Sequence, residues 1–342
     1  MVELETQRGA DAGAMPSAGR MRALIQDRYG PPSVLEPTVV DIPVPGRGEV
    51  LMKVQAASVH PGDVFIMSGR PRIVRLAFGL RKPRRPTPGM DAAGVIAAVG
   101  QDVTSLRIGD RVFGRTTTGS VAEYARARET DLAPLPDRLS AAQAAAVPTS
   151  AMTALQALRD IAKLQRGQTV LVTGASGGVG SFAVQLAAAM GADVTGVCSG
   201  RNVELVRSLG AHRVVDYGTT DLAGVGTQFD VILDNVEAQP LAAMRRILAP
   251  NGTLIPNSGN GGPWIGPLGR ILAARVRSAF TRQRLTPFTS RGNRDDLLAL
   301  AAMLASGQVT PVIDRAFTLA DAADALRQVA TGHTRGKIVV AL

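Results

Sequence analysis

The sequence has few of the residues from which disulfides and most zinc sites are built. It contains one cysteine, Cys198, and three histidines in 342 residues. A single cysteine excludes an intramolecular disulfide, and a Cys-rich structural zinc site needs more thiolates than the chain has. The low cysteine content fits a cytoplasmic location, which we expect for this protein.

Long apolar runs are also missing. The longest alanine-rich region, 141–162, is interrupted by charged and polar residues and by a proline, so it is not expected to span a bilayer. The N-terminus carries Glu3 and Glu5 and lacks the apolar core of a signal peptide. We therefore expect no membrane partner. Residues 1–20 lack any periodicity and are expected to form a flexible arm.

Aromatic residues make up only 4% of the chain, whereas the formal net charge is +10. A basic protein invites the hypothesis of nucleic-acid binding, but the scarcity of aromatics and the lack of a recognised motif argue against such a partner. A solvated basic surface, or attraction of an anionic substrate or carrier such as a coenzyme A thioester, explains the charge instead. The length favours two domains.

The most informative stretch is 169–191, where an apolar run, a glycine turn and an amphipathic segment follow one another. This order predicts a strand, a phosphate-binding loop and a helix, and the apolar stretch 193–198 completes a βαβ unit. Gly177 would let the backbone approach a pyrophosphate, while Gly174 and Gly180 permit a tight turn and close packing. A plain glycine turn is the alternative. The expected dinucleotide loop comprises Gly174, Ala175, Ser176, Gly177, Gly178, Val179 and Gly180.

The end of the second strand indicates which dinucleotide binds. NAD sites usually place a carboxylate there, whereas a 2′-phosphate needs hydroxyls and a cation. The stretch 197–202 has no carboxylate, and Ser199 and Arg201 are suited to bind phosphate. The sequence therefore predicts NADP(H) rather than NAD(H); otherwise Arg201 is an ordinary solvated residue.

The pattern along the chain predicts an α/β fold in two parts. Up to about Gly119 it consists of strands and turns, and we expect 120–124 to pair with the hairpin at 107–114. After about Ser140, helices and strands alternate, as in a parallel sheet. The expected strands of that sheet are 169–173, 193–198, 213–216, 230–234 and 252–255. The expected helices are 181–190, 201–209 and 241–248.

Five stretches of sequence, in this order and spacing, resemble a known family: 89–100, 109–114, 144–155, 174–180 and 332–340. The chain after Arg20 resembles the medium-chain dehydrogenase/reductase superfamily, specifically its zinc-free quinone oxidoreductase branch, which includes zeta-crystallin-like proteins and enoyl reductases. The resemblance implies a GroES-like β domain formed by 21–148 and 291–342. A Rossmann NADP-binding domain with a doubly wound parallel sheet would occupy 149–290, and the active site would lie in the cleft between them.

Short-chain dehydrogenases share the glycine pattern but need a tyrosine followed four residues later by lysine. No tyrosine of this chain is followed in that way. The zinc alcohol dehydrogenases of the same superfamily bind their catalytic zinc through side chains at two places in the first domain. At the corresponding places this sequence has Ser58 or His60, and Met90 and Asp91. These residues do not supply enough nitrogen and sulfur ligands, so we expect no catalytic metal.

The stretch 59–65 resembles the family segment that lines the nicotinamide end of the cleft, with His60 in place of asparagine and Phe65 in place of tyrosine. His60 and Asp63 are therefore the candidate catalytic residues. His60 is suited to donate to the substrate oxygen or supply a proton, or else it is a structural substitute for asparagine. Asp63 is expected to be an ionised positioning residue rather than an acid.

The resemblance also implies cofactor contacts outside the glycine loop. Thr153 would lie near the nicotinamide, Tyr217 near the 2′-phosphate and Asn235 beside the ribose, while Ser258 and Gly259 would follow the fifth strand. Each of these residues also has a structural interpretation. The resemblance further implies a homodimer, with the sheet edge near 285–290 as a possible contact.

These observations predict a zinc-independent, NADPH-dependent oxidoreductase. It would transfer hydride to a small electron-poor substrate, either an activated C=C bond in an enone, alkenal or enoyl group, or a quinone. Two alternatives stay open: a zinc-free alcohol or ketone oxidoreductase, and a non-catalytic NADPH-binding regulatory or structural protein.

Overall fold

The computed structural model describes residues 19–222, 226–258, 264, 269, 272 and 281–342. Its strands are β1 (Arg20–Ile25), β2 (Glu36–Asp41), β3 (Glu49–Val59), β4 (Asp91–Val99), β5 (Arg111–Arg115), β6 (Tyr124–Arg128), β7 (Leu132–Pro134), β8 (Thr169–Thr173), β9 (Asp193–Cys198), β10 (Arg213–Asp216), β11 (Phe229–Asp234), β12 (Leu248–Pro256), β13 (Arg284–Leu285), β14 (Ile313–Thr318) and β15 (Lys337–Ala341). Its helices are α1 (Pro61–Ser68), α2 (Val74–Phe78), α3 (Ala141–Ala145), α4 (Pro148–Gln156), α5 (Gly178–Ala189), α6 (Val203–Ser208), α7 (Leu241–Arg246), α8 (Arg294–Ser306) and α9 (Ala322–Ala330).

The second half of the chain builds a parallel sheet in the order β10-β9-β8-β11-β12-β13. Numbered from its first strand, this order is 3-2-1-4-5-6, the doubly wound arrangement of dinucleotide-binding folds. Val170 and Val172 belong to the core on one face of the sheet, and Leu171 belongs to the core on the other. Burial of both faces explains why the sequence of β8 is continuously apolar. The predicted doubly wound sheet is confirmed.

The N-terminal half forms a mainly antiparallel sheet in the order β14-β15-β3-β4-β5-β7, with β6 also on β3, and β1 pairs with β2 in a separate ribbon. Strand β3 is long enough to hold two neighbours end to end along one edge. Its first half pairs with β6 and its last residues pair with β15. The C-terminal strand β15 therefore completes a sheet begun by the N-terminal part of the chain. The expected two-part α/β fold with a GroES-like β domain is confirmed.

The predicted pairing of 120–124 with the 107–114 hairpin is wrong. The two edges of β5 are taken by β4 and β7, so the strand that begins at Tyr124 pairs with β3 instead. Ala122, just before it, bridges to Ala23 of β1. The apolar pattern marks this segment as a strand, but only the tertiary fold selects its neighbour.

Several element boundaries also differ from the expected ones. Helix α5 begins at Gly178 rather than 181, because Gly178 and Gly180 form its first turn. Helix α6 begins at Val203 after a short 3-10 turn, Gly200–Asn202. Helix α7 ends at Arg246, and β12 begins at Leu248 with an irregularity in its pairing to β11 before Thr253.

One apolar core connects the two sheets. It contains Ala56, Ala93 and Phe113 from the antiparallel sheet and Val170 and Val172 from the parallel sheet. The alanine-rich helices α3 and α4 lie between them, and their small side chains let the elements approach closely. In the described part of the chain, no helix is both long and apolar enough to traverse a bilayer. Residues 1–18 of the expected arm lie outside the described residues, and the domain boundaries stay predictions.

Candidate functional site

The predicted dinucleotide loop connects β8 to α5. Gly174 has a φ of +59°, and a Cβ on Gly180 would lie 2.0 Å from the carbonyl oxygen of Gly174. A side chain would strain the backbone of Gly174, and at Gly180 it would displace backbone. Gly177 precedes α5, whose N-terminus has no side-chain cap. The first-turn amides of such a helix have no intrahelical acceptor, so the loop fits an anionic group such as a dinucleotide pyrophosphate.

A buried asparagine connects this loop to the end of β9. The Asn202 side-chain amide donates to the hydroxyl oxygen of Ser176 at 2.9 Å and to that of Ser199 at 3.2 Å. Asn202 therefore fixes two of the predicted cofactor-binding hydroxyls relative to each other. Arg201 is exposed, and its guanidinium donates to the backbone carbonyl of His333 at 3.3 Å. Sequence reasoning missed Asn202, whose only signal was its position within the Ser-Gly-Arg-Asn turn.

The neighbouring strand brings a carboxylate to the predicted 2′-phosphate region. Tyr217 follows β10 with 60% of its surface exposed, and its backbone N–H donates to the backbone carbonyl of Cys198. The Asp216 carboxylate accepts a hydrogen bond from Gly218 N–H, and a Cβ on Gly200 would lie 2.6 Å from its Oδ2. The stretch 197–202 has no carboxylate of its own, but the fold supplies one.

The carboxyl ends of β8, β11 and β12 are connected by side-chain amides. Asn235 donates from its amide to the Thr173 carbonyl, and its amide oxygen accepts from Asn257 at 2.7 Å. The backbone N–H of Ser258 donates to the Glu237 carboxylate at 3.1 Å. Asn235 and Ser258 thus lie at the sheet edge where such folds bind ligands. Gly259 lies outside the described residues.

The two candidate catalytic residues lie where β3 passes into α1. The Asp63 carboxylate accepts the backbone N–H of His60 at 2.8 Å, which caps the helix start. His60 Nε2 lies 3.5 Å from the same carboxylate oxygen. Their side chains are 10% and 2% exposed, respectively. A Cβ on Gly62 would lie 2.8 Å from the imidazole, so the glycine makes room for the ring.

Burial changes the expected protonation of this pair. Burial raises the pKa of Asp63 to about 7, with a smaller contribution from the nearby Asp91 carboxylate and an opposing one from the His60 N–H. Burial also lowers the pKa of His60 well below its usual value, and the positive charges of Lys337 and Arg115 lower it further. The expectation of an ionised Asp63 assumed a solvated carboxylate, whereas its burial favours the protonated form.

A second buried charge pair lies beside the first. Asp91 accepts the hydroxyl of Thr149 at 2.6 Å and its N–H at 3.1 Å, so it stabilises the N-terminus of α4. Lys337 Nζ lies 3.8 Å from Asp91 and is 2% exposed. No hydrogen-bond acceptor within the described residues satisfies this ammonium. Burial lowers the pKa of Lys337 and raises that of Asp91, while each charge opposes the shift of the other.

The start of β15 brings the two halves of the site together. The N–H of Gly336 donates to the carbonyl of Ser176 at 2.7 Å, and Gly336 bridges to Gly177. A Cβ on Gly178 would lie 3.2 Å from Lys337 Cδ. Through Gly336 and Lys337 the dinucleotide loop therefore adjoins the buried charges near His60 and Asp63. Charged residues at the starts of apolar strands were the sequence signal for Asp91 and Lys337, but their meaning depended on tertiary contacts.

Thr153 is placed on α4 between the two sheets. Its hydroxyl donates to the Thr149 carbonyl at 2.7 Å and lies 2.9 Å from the Ser290 hydroxyl. Its predicted place near the nicotinamide stays a prediction. Across the residues that the structure describes, no group of three or more His, Cys, Asp or Glu side chains is arranged to hold a metal ion.

Comparison with known proteins identifies the family. Residues 46–137 match the alcohol dehydrogenase GroES-like domain, and residues 209–340 match the zinc-binding dehydrogenase family. The chain is 34% identical to the chloroplast envelope quinone oxidoreductase homolog of Arabidopsis thaliana, over 94% of this chain and 98% of that protein. It is 33% identical to the quinone oxidoreductase of Homo sapiens with the same coverage.

Among solved structures, the quinone oxidoreductase from Coxiella burnetii superposes with a TM-score of 0.82 at 29% identity, over 95% of this chain and 100% of that one. The likeness thus covers both sheets and the site between them. Members of this family use a nicotinamide cofactor, which the glycine loop fits. The chain is an oxidoreductase that belongs to the quinone oxidoreductase branch of the medium-chain dehydrogenase/reductase superfamily.

Proposed function

We propose that the protein is a zinc-independent, NADPH-dependent reductase of quinones or of C=C bonds conjugated to a carbonyl. The observation that carries the proposal is the buried His60–Asp63 pair, which is joined through Gly336 and Lys337 to a loop suited to a dinucleotide. Such a pair provides the proton that the reduction of a carbonyl-activated acceptor requires. The relatives named quinone oxidoreductases support the acceptor class.

The glycine loop amides, Ser176, Ser199 and Arg201 would hold the cofactor, which supplies a hydride when bound. The chain supplies the matching proton. Asp63, whose pKa burial raises to about 7, is partly protonated near neutral pH and lies 3.5 Å from His60 Nε2. The neutral His60 ring, the more exposed of the two groups, would donate its N–H proton to the substrate oxygen and accept the Asp63 proton at its other nitrogen, and solvent would then reprotonate the Asp63 carboxylate. The positive charges of Lys337 and Arg115 disfavour a charged imidazole, so the ring is neutral before and after the transfer.

Zinc independence is supported by the present partners of the residues at the expected ligand positions. The Ser58 hydroxyl donates to the backbone of β15, and both carboxylate oxygens of Asp91 accept from Thr149. Met90 lies beside Asp91 and contacts Arg115 through its sulfur. Ser58, Met90 and Asp91 are thus engaged within the fold, and a set of one hydroxyl or the His60 imidazole, one thioether and one carboxylate is a poor zinc site.

The first experiment follows NADPH absorbance in purified, chelator-treated protein against quinones, alkenals, cyclic enones and enoyl thioesters. We expect turnover of one class that persists after chelation. Reduction of only the C=O bond of an enone would support an alcohol or ketone oxidoreductase instead. Saturable NADPH binding without oxidation of any acceptor would support a non-catalytic role.

The cofactor preference is tested at two residues with opposite charge. Arg201→Ala should lower kcat/KM for NADPH by about tenfold or more, since it removes a charge-assisted contact, and leave that for NADH nearly unchanged. Asp216→Asn should raise the preference for NADPH, because it removes a carboxylate beside Gly200. The assignment of NADPH is wrong if Arg201→Ala leaves the ratio of the two constants unchanged.

We further propose a cytoplasmic homodimer. The family resemblance supports this dimer and suggests a contact near 285–290, beside strand β13 of the described parallel sheet. Sedimentation equilibrium of the purified chain tests the dimer, and a monomer mass over the working concentration range would exclude it. The location is tested by fractionation of the source cells.

A further inference from the structure

The segment between Asp63 and Asp91 is strongly basic. It contains seven Arg and Lys residues and no Asp or Glu. One of the seven, Arg75, is half-buried and stacks on the ring of Tyr29. The other six are exposed and are here called the basic face: Arg70, Arg72, Arg81, Lys82, Arg84 and Arg85. The excess of positive charge in the whole protein is thus partly concentrated on one short stretch.

Large apolar side chains project from the same segment. Leu76 is 68% exposed and Leu80 is 69% exposed. Helix α2, which carries Leu76, ends at Phe78. At the next residue, Gly79, φ is +124° and a Cβ would lie 2.1 Å from the backbone oxygen of Lys82. This turn folds the chain back on itself, so Leu80 follows α2 closely.

A tryptophan joins the basic face from a distant part of the sequence. Trp264 is 62% exposed, its ring centroid lies 4.0 Å from the guanidinium carbon of Arg72, and its carbonyl accepts the N–H of Ile73. Single exposed apolar residues are ordinary on protein surfaces. Two leucines and a tryptophan among six exposed cations are instead the combination that favours a membrane–water interface.

We propose that the basic face, with Leu76, Leu80 and Trp264, docks the protein on the surface of an anionic phospholipid bilayer. The headgroups would neutralise the cations, and the leucines would enter the boundary of the acyl region. A nucleic acid would contact the same cations but leave both leucines in water, so the observations favour lipid. The proposal departs from the expectation of no membrane partner, which rested on the lack of a spanning segment.

The location of the face gives the docking a consequence for catalysis. Arg85 of the basic face and Phe78 of α2 line a small cavity together with Asp63. Docking would therefore bring the neighbourhood of the candidate proton donor close to the bilayer, where apolar quinones dissolve. This consequence rests on the proposed function, whereas the docking itself does not.

The test is co-sedimentation of the full chain, without cofactor, with vesicles of phosphatidylcholine alone or of phosphatidylcholine mixed with phosphatidylglycerol. We expect binding to the mixed vesicles at low salt, binding at least about tenfold weaker to phosphatidylcholine alone, and release as salt is raised. Failure of the wild-type chain to bind the mixed vesicles would overturn the proposal, whether or not the protein reduces quinones.

A triple variant of the basic face and a control with the same change of charge locate the docking surface. Arg81→Gln/Lys82→Gln/Arg84→Gln should weaken vesicle binding by about tenfold or more. Arg207→Gln/Arg246→Gln/Arg282→Gln removes the same charge from exposed arginines elsewhere and should weaken it much less. Equal losses in the two triple variants would mean that net charge alone drives binding and would contradict a defined docking face.

The leucines distinguish lipid from other polyanions. Leu76→Ser/Leu80→Ser changes exposed side chains, so we expect an unchanged Tm but vesicle binding weakened several-fold. Its affinity for a single-stranded oligonucleotide should equal that of the wild type. If the double variant binds vesicles as the wild type does, or if the oligonucleotide binds tightly while vesicles do not, the bilayer is not the partner of this face.

Discussion

Asp63 shows how burial can change the protonation that a sequence suggests for a residue. A carboxylate beside a backbone N–H is usually ionised, which is why the sequence favoured a positioning role. The fold places Asp63 next to Asp91 in the interior, where water no longer solvates its charge. The resemblance of 59–65 to a family segment made His60 and Asp63 candidates, but their protonation depends on contacts from β4 and β15 that no local pattern contains.

Asp63→Asn should reduce the pH dependence of stability. Because folding raises the pKa of Asp63 from 3.8 to about 7, the protonated form stabilises the fold below about pH 4, and this contribution is lost as the pH rises to about 7. Asparagine cannot ionise. We therefore expect the free energy of unfolding to fall less between pH 5 and pH 8 in the variant, by on the order of a few kcal/mol.

Denaturant titrations at the two pH values measure this difference, with the exposed Asp27→Asn as a control that should behave as the wild type. The same variant should lower kcat by about 100-fold while leaving the affinity for NADPH unchanged, because asparagine does not release a proton. Wild-type kcat in Asp63→Asn would remove Asp63 from the proton path.

Lys337 and Asp91 form a buried pair in which each charge depends on the other. Lys337→Met should destabilise the protein by about 3 kcal/mol, because a buried carboxylate loses its only nearby ammonium in the described structure. Adding Asp91→Asn should recover part of this loss, since no uncompensated charge is then left. Urea unfolding of the two single variants and the double variant measures the coupling. If the loss of unfolding free energy in the double variant equals the sum of the losses in the two single variants, the two charges do not interact.

At the scale of elements, the parallel sheet was the easiest part to predict. Its strands are apolar runs bounded by turns, and β8, β9 and β10 have the predicted limits. Boundaries that depend on glycine or proline were less accurate, as at α5 and α7. Strand pairing was the hardest feature to predict from the sequence. The neighbour of β6, for example, depends on which strand edges the rest of the fold leaves unpaired.

The turn before β15 gives a prediction for an element rather than a side chain. Gly336 has a φ of +85°, and a Cβ there would lie 2.3 Å from the carbonyl oxygen of Val312. Gly336→Ala should therefore displace the turn that donates to the Ser176 carbonyl. We expect a loss of about 2 kcal/mol or more in stability and about tenfold in NADPH affinity.

The matched control is Gly167→Ala, which has a φ of +81° but open space around its Cβ. It should cost only about 1 kcal/mol of backbone strain and leave NADPH affinity unchanged. Fluorescence titration with NADPH and thermal unfolding compare the two variants. If both lower NADPH affinity equally, the contact between Gly336 and the dinucleotide loop has no role in binding.

For the whole molecule, the family resemblance implied two domains, and the structure shows one apolar core that the two sheets share. Phe113 of β5 and Phe182 of α5 are fully buried members of this core on opposite sides of α3 and α4. Since unfolding either sheet would expose side chains that the other covers, we expect one cooperative calorimetric transition.

Phe113→Ala and Phe182→Ala should each lower the free energy of unfolding in that one transition by about 3–5 kcal/mol. NADPH at about 100 times its Kd should raise the free energy of unfolding by about 2.7 kcal/mol. Two transitions, each sensitive to one variant and only one shifted by NADPH, would mean that the sheets unfold independently and that their shared core is energetically weak.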